Sequence, residues 1–540
     1  MKRYYIYTQL IAFLLLMTGC KDYLDTKPYS FNTVENLYKT PQDAEIGLTG
    51  CYSILNATSI QGTGFGESFT VKMPIMLNAG TDELVTQDGF TDPNYAPFGT
   101  AEVSSQNETI RNNWFFLFAG VNRTNYLLEN IDKANVPEPR RQEIIGEARF
   151  LRGLLYFYLA TFYGGVPVYE SSQQDPKAQR ASLEQVYQFI IADLNNAYQN
   201  LPQRAGINGR ANKWSAAGYL AKVYTYLGSC SENTVGKTLN YPLNSFDWVN
   251  KTEMYNSAKS ITDKIIAESG YGLTKNYSYL FRETTKSQLA GESLFSIQSQ
   301  TNSANGNYNL WLFWQVPIGS AVAGGGYGWF RPTGELFFKY HETDDRRKNN
   351  LTLYVDPQGQ KENIEGTNYF IPLPCTNPLN GNYCVGKFRY RDPISKSISN
   401  GTAWSDADVS LLRFADILLL NAEAKYYTGD EAGARNRLKE VRNRTNPTNI
   451  DVLTAAYLKA NFVEELLDER SRELCFEGWR RIDLIRFGKY ESAINSLTDY
   501  LGSWNRIVPL LKSNVKPYKI WFPIPKTEIE LSPIDQNPKY

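Results

Sequence analysis

Apolar residues recur at three- and four-residue spacing over long stretches of this 540-residue chain, the pattern of helices that bury one face. In the run EARFLRGLLYFYLATFYGG, Phe150, Leu151, Leu154, Leu155, Tyr158 and Phe162 share a stripe and Gly164 closes it. The same spacing predicts helices over 114–131, 138–162, 183–198, 213–227, 254–266, 409–427, 431–444 and 457–487. Two predicted helix ends, AKVYTYLG (221–228) and AEAKYYTG (422–429), both place Ala first, Tyr five residues on and Gly two residues later. Small residues let helices approach, the Tyr packs between them and the Gly turns the chain, as in tetratricopeptide helix pairs. The copies lie 201 residues apart (422 minus 221), so they form no tandem array. The expected fold is mainly α, a tetratricopeptide-like scaffold of helix pairs with long irregular loop and short-strand insertions.

Those insertions are residues 56–110 and roughly 270–405, rich in Gly, Asn, Ser, Thr and aromatics. They contain strand-like runs such as SLFSIQSQ and LWLFWQVPI, and loops of such length usually carry function. Residues 33–270 read as an N-terminal region and 271–540 as a C-terminal region on the same globule. The terminal FPIPKTEIELSPIDQNPKY holds four prolines, which excludes a long helix and predicts an extended strap.

The first residues follow a different pattern. The apolar run from Leu10 to Met17 is eight residues long, against roughly 20 for a membrane span. With Lys2 and Arg3 before it and Thr18-Gly19 after it, it reads as a signal peptide over 1–19. Cys20 stands where a bacterial lipobox puts the cysteine that is acylated and becomes N-terminal. Residues 20–32, polar and aperiodic, read as a tether.

Composition narrows the function. Without Lys2 and Arg3 the chain carries 54 basic and 56 acidic residues (56 minus 2 against 56) and no block of like charge, which disfavours nucleic-acid binding. There are 37 Tyr, 27 Phe and 10 Trp but one His, His341, a profile suited to stacking on ligands more than to acid/base chemistry. Once Cys20 is acylated, five cysteines remain, an odd number. Cys375 and Cys384 bracket TNPLNGNY, a turn signal that makes them the candidate disulfide. No spacing resembles a zinc site, and Asp88, Asp92 and Asn94 miss the EF-hand pattern. No cofactor is expected.

Four ordered blocks resemble the SusD/RagB family of outer-surface lipoproteins: EARFLRGLLYFYLATFYGGVPVYE (147–170), LLRFADILLLNAEAKYYTGDEAGARNRLKEVRNR (411–444), LLDERSRELCFEGWRRIDLIRFGKY (466–490) and the terminal 522–540. CKDYLD is similar to the short acidic segment that follows the acylated cysteine in such proteins and favours display on the cell exterior. The resemblance implies an outer-membrane, lipid-anchored protein that captures an oligosaccharide and passes it to a TonB-dependent transporter of the SusC type. Peptide delivery, as in some relatives, is the alternative, and glycan cleavage a weaker one. The third block also has a physical reading, since its Glu and Arg residues interleave with Leu474, Phe476, Trp479 and Leu484 as charged pairs along a helix with a buried face.

A sugar ring has an apolar C–H face and a rim of hydroxyls, so its site needs aromatic plates beside polar groups. Both insertions supply them, and the resemblance points to these same regions. The first offers Asp82, Asp88, Phe90 and Tyr95; the second offers Trp311, Trp314, and then Tyr327 and Trp329 in AGGGYGWFRP. If LWLFWQV is a strand, Trp311 and Trp314 face opposite sides and at least one is core. Trp329, among glycines, is the leading plate. Asp82, Glu83 and Asp88 lie near this surface and leave paired carboxylates for glycoside hydrolysis open, with turn capping and hydroxyl binding as their other roles. His341, in the charged stretch KYHETDDRRKNN, reads as a solvated turn.

Overall fold

The computed structural model describes residues 38–56, 69–300 except 284, 311, 328–353, 360–388 except 365, 372, 381 and 382, 406–445, 448, 450–498 and 506–540. The signal segment, the tether with Cys20, and Trp314 and Tyr327 lie outside the described residues. No helix among the described residues is long and apolar enough to cross a membrane.

A stack of antiparallel helices forms the body. Its members are α1 (Pro41–Asn56), α2 (Phe69–Asn78), α3 (Glu108–Asn130), α4 (Arg140–Tyr163), α5 (Leu183–Asn200), α6 (Lys213–Glu232), α7 (Lys251–Glu268), α8 (Phe414–Tyr427) and α9 (Glu431–Thr445). From α3 to α9 each helix packs on the next. Polar side chains start them where the sequence changes from loop to periodic run. Asn107, Ser182, Asn212 and Asn250 each accept a backbone N–H of the first turn of α3, α5, α6 and α7, satisfying donors that the helix itself cannot. Between α4 and α5 the close approach is set at Gly153, where a Cβ would lie 3.1 Å from Leu194. The same interface buries a two-pronged pair, Arg152 to Asp193, at 2.7 and 2.8 Å.

The second insertion leaves after α7 and returns before α8, yet those two helices are neighbours. Tyr255 of α7 stacks on Tyr427 of α8 with centroids 4.3 Å apart and planes at 12°. The stack is therefore continuous across the insertion. At AEAKYYTG the helix ends as expected, with Gly429 at φ +92°. At AKVYTYLG it does not: α6 runs on to Glu232, and Gly228 instead gives Tyr255 room to approach.

The insertions hold short antiparallel two-stranded ladders: β1 (Leu84–Thr86) with β3 (Phe330–Pro332), β2 (Ser293–Ile297) with β8 (Val409–Arg413), β4 (Leu351–Thr352) with β7 (Cys384–Val385), and β5 (Gln360–Ile364) with β6 (Thr367–Ile371). Two expectations change here. The predicted helix 409–427 begins as strand β8, whose VSLLR is apolar enough to suit either state. The first insertion is not wholly irregular, since α2 is buried on every side and so shows no amphipathic period. The terminal segment is a strap with one short helix, Lys526–Leu531. Phe522 N–H donates to the Phe162 carbonyl at 2.7 Å, and the Asn537 amide donates to the carbonyls of Tyr163 and Phe522 at 3.0 and 2.8 Å.

Cys375 and Cys384 are both buried free thiols, correcting the expected disulfide. Thr352 of β4 pairs with Cys384 on one side and with Pro374 on the other. Two strands that flank a third lie about 9–10 Å apart, beyond the span of a disulfide.

The predicted helix 457–487 is three pieces: the end of Ile450–Tyr457, then α10 (Phe462–Leu474) and α11 (Arg480–Arg486). Phe476 at φ +65° and Gly478 at φ +88° break it. Most of its charges do not face solvent, Lys459 and Glu464 being the exposed exceptions. Glu465, Glu469, Glu473 and Glu477 recur every four residues and are buried. Together with buried Glu292 and Asp344 they meet the buried side chains of Arg346, Lys387, Arg413, Arg442, Arg444 and Arg472, six acids for six bases, and the half-buried Arg435 reaches Glu465 from the edge. Burial alone would push Glu473 up, but the Arg444, Arg413 and Arg346 guanidiniums hold it well below the usual carboxylate range. A second balanced group, Asp416, Glu423 and Asp483 with Lys222, Arg470 and Arg486, lies beside it.

Removing one cation from such a group strands a buried anion, which costs more than the pair contributes. Arg413 serves Glu473, Glu477 and Glu292 at once. Arg413→Met should lower the unfolding free energy by about 3–5 kcal/mol in urea titrations. Adding Glu477→Gln should recover part of that loss; a loss within error of zero for the single change would refute the role assigned to the network.

Candidate functional site

The β1–β3 ladder brings the two insertions together, with Leu84 opposite Pro332, Val85 opposite Arg331 and Thr86 opposite Phe330. It extends one step further where Gln87 N–H donates to the Trp329 carbonyl at 2.7 Å. Gly328, at φ +60°, turns the chain into β3. Just past the ladder, Phe90 and Trp329 stack with centroids 4.3 Å apart and planes at 21°. Both rings are half-buried. Phe330 meets Phe90 edge-on at 6.1 Å, and Tyr95 lies 6.3 Å from Trp329. On the rim, half-buried Asp88 is 3.9 Å from the exposed Arg506 guanidinium. A paired aromatic platform with a charged rim can stack on an apolar ring face and bond to hydroxyls around it.

The platform is fixed from below. Asp82 accepts Arg480 Nε and Nη2 at 2.7 and 2.6 Å and Lys339 Nζ at 2.6 Å. Thr333 clasps the same turn, its hydroxyl donating to the Asp82 carbonyl and its N–H to that of Glu83. Ser471 Oγ donates to Glu83 Oε1 at 2.6 Å, while Glu83 Oε2 is buried with no hydrogen-bond partner among the described residues. The two carboxylates respond in opposite directions. For Asp82, burial is overcome by Arg480 and Lys339, which hold it far below the usual range. For Glu83, burial prevails over the same cations, aided by the Asp82 charge, and its carboxyl is pushed up.

Several expected contacts are thereby corrected. Asp82 is an anchor 6% exposed, not a ligand contact, because its charge is spent on Arg480 and Lys339. Trp311 is core: it is 2% exposed and donates its indole N–H to the Phe476 carbonyl at 2.8 Å. Tyr95 is 8% exposed and supports Trp329 from within. Asp92 caps a turn, accepting the N–H groups of Asn94 and Tyr95. Phe90, Trp329 and Asp88 remain accessible in part, and the first two are brought into contact. Arg506 and the anchoring Arg480 were not expected at this surface. Arg480 stood in a charged block with nothing to mark it, and Arg506 lies more than 400 residues from Asp88 (506 minus 88).

Asp82 and Glu83 are buried beside Arg480, so neither is accessible as a carboxylate for hydrolysis. His341 is half-buried, its Nδ1 bonded to Thr343 Oγ1 at 2.9 Å. A helical-repeat scaffold that carries a paired aromatic platform on inserted loops has the geometry of a binding protein. The chain belongs to the SusD/RagB family of outer-membrane nutrient-binding proteins: residues 291–540 match the model described as SusD family, and residues 22–225 the model described as starch-binding associating with outer membrane. Members of this family bind without catalysis. The chain is 22% identical to SusD-like protein P25 of Formosa agariphila, covering 96% of this chain and 94% of that one. Among solved structures it is similar to a SusD homologue from Bacteroides thetaiotaomicron, with TM-score 0.73, 23% identity, and 94% and 98% of the two chains covered. It is also similar to a laminarin-binding SusD-like protein, with TM-score 0.69, 22% identity, and 93% and 100% covered.

The raised Glu83 has a sign that can be checked. A carboxyl whose folded value lies above its unfolded value adds stability below the unfolded value and loses it as pH rises through the folded one. Glu83→Gln mimics the protonated form. In thermal melts the variant should match the wild type near about pH 4 and exceed it near about pH 8, across the range above the ordinary carboxylate value of about 4.3. Parallel curves over that range would refute the assignment.

Proposed function

We propose that this chain is a lipid-anchored protein of the outer cell surface that binds a neutral oligosaccharide on the Trp329–Phe90 platform and delivers it to a SusC-type TonB-dependent transporter. The observation that carries the reading is the pairing of the two half-buried rings by the β1–β3 ladder, with Asp88 and Arg506 on the rim. A related structure named for laminarin binding supports a glycan over a peptide. The transporter and the exterior address rest on the family. The lipid anchor rests on Cys20 after its apolar run and Gly19.

Trp329→Ala should weaken binding of the cognate glycan by about tenfold, or roughly 1.4 kcal/mol, in calorimetric titrations against laminarin, starch and xyloglucan oligosaccharides. Because its ring also stacks on Phe90, stability should fall by only about 0.5–1.5 kcal/mol. A larger loss of stability with unchanged binding would make Trp329 a core residue and displace the site. Binding of peptides with none of these glycans would overturn the reading.

Cys20→Ala should leave the body folded and release it from the outer membrane, since acyl chains provide the attachment. Fractionation of cells lacking the transporter checks this. Retention of the variant after detergent-free washing would refute lipid anchoring at Cys20.

A further inference from the structure

The helical stack carries a groove that shares no residue with the platform. It is an open depression of about 780 Å³ bounded by α5, α6 and α7, a size in the range of about 300–1,000 Å³ typical of ligand clefts. One wall is α7. Asn250 at its cap, then Glu253, Ser257, Ser260 and Lys264, follow one another at three- or four-residue intervals along it, so they form a single polar stripe. The opposite flank of the same helix, with Tyr255, Ala258, Thr262 and Ile265, is buried in the stack. The other wall presents Tyr198 of α5 and Tyr224 of α6, both half-buried. The Lys213 ammonium lies 5.0 Å from the Tyr198 ring centroid.

The lining specifies its occupant by chemistry. Glu253 and Lys264 are the only charged groups among the lining residues and are of opposite sign, so nothing selects an ionic ligand. Ile261 is the one aliphatic side chain there, too little for the apolar centre that a protein partner would need. Two tyrosine side chains and a rail of amides and hydroxyls line the same groove and match the two aspects of a sugar chain, the C–H faces and the hydroxyl rim. We propose that this groove is a second saccharide site, independent of the Trp329 platform, for a neutral hydroxyl-rich oligosaccharide. The inference rests on the reading of this chain as a glycan binder and adds to it. Two sites on one protein hold a long polysaccharide at two points, and the second contact is made at high effective concentration.

The test uses the full chain in native gels containing laminarin, soluble starch or xyloglucan, followed by calorimetry with oligosaccharides of whichever polymer retards it. The variants are Trp329→Ala, the double change Tyr198→Ala with Tyr224→Ala, and Ser260→Trp, which fills the groove from an exposed position and leaves the packed rings alone. Wild type should titrate two sites per chain and each variant one. Both groove variants should lose at least about threefold in retardation through lost avidity. Groove variants that match wild type in stoichiometry and retardation would overturn this inference and leave the platform reading standing. Loss of all binding in the groove variants with Trp329→Ala unaffected would uphold the groove and remove the platform. Failure of every polymer to retard wild type would overturn both.

Discussion

Buried charge neutrality is the constraint on which this molecule is built. Glu465, Glu469, Glu473 and Glu477 line one face of the segment that begins with α10, and all are out of contact with water. An unpaired ion in that position is unaffordable, so every cation that answers them must arrive. Those cations come from separate segments: Arg346 and Lys387 from the second insertion, Arg413 from the end of β8, and Arg442 and Arg444 from α9. The acidic face thus gathers loops that have little secondary structure of their own. The insertion also buries Phe281, Phe295, Trp311, Phe330 and Tyr340 in the core of the stack, and the ion pairs fix which segment meets which. Arg is used at most of these positions, in keeping with its ability to bridge several carboxylates through a planar fork.

The same segment reaches across to the first insertion. Arg480 and Lys339 hold Asp82, the Gly478 N–H donates to Asn78 Oδ1 at 3.1 Å, and Trp311 packs over the turn between α10 and α11. The turn before β1 is therefore fixed on one side by charge and on the other by the ladder to β3. Phe90 and Trp329 emerge from that frame a few residues later, so their relative placement follows from rigid elements even though each sits in a loop. The helix pairs play a different part. They form the continuous body, and their continuity from α7 to α8 lets the long second insertion project from one place without interrupting the core.

The two proposed sites differ in what builds them. The platform depends on long-range contacts between insertions, whereas the groove between α5, α6 and α7 is built from three successive helices and needs none. The groove therefore persists wherever the stack is folded, while the platform depends on the buried ion pairs as well. A protein that handles long, flexible polymers gains from modest sites in different settings, because linkage through the ligand multiplies their effect.

Local pattern determined the scaffold. Predicted helices at 138–162, 183–198, 213–227, 254–266 and 431–444 correspond to α4, α5, α6, α7 and α9, because helical period and capping residues act within a few turns of chain. Where one face does not alternate with another, the pattern is silent: α2 is buried all round, and VSLLR of β8 suits strand or helix. Sequence also pointed to the two insertions as the place of an aromatic site. It ranked Trp329 above Trp311 from the surrounding glycines but could not show what each meets, since burial of a tryptophan depends on what lies opposite it, here the Phe476 carbonyl in one case and Phe90 in the other. Nor could it tell that Asp82 anchors while Asp88 faces the rim, since that was decided by the arrival of Arg480 from 398 residues away. Charge pairing and strand pairing act between distant segments, and only the closed tertiary structure determines which residue meets which.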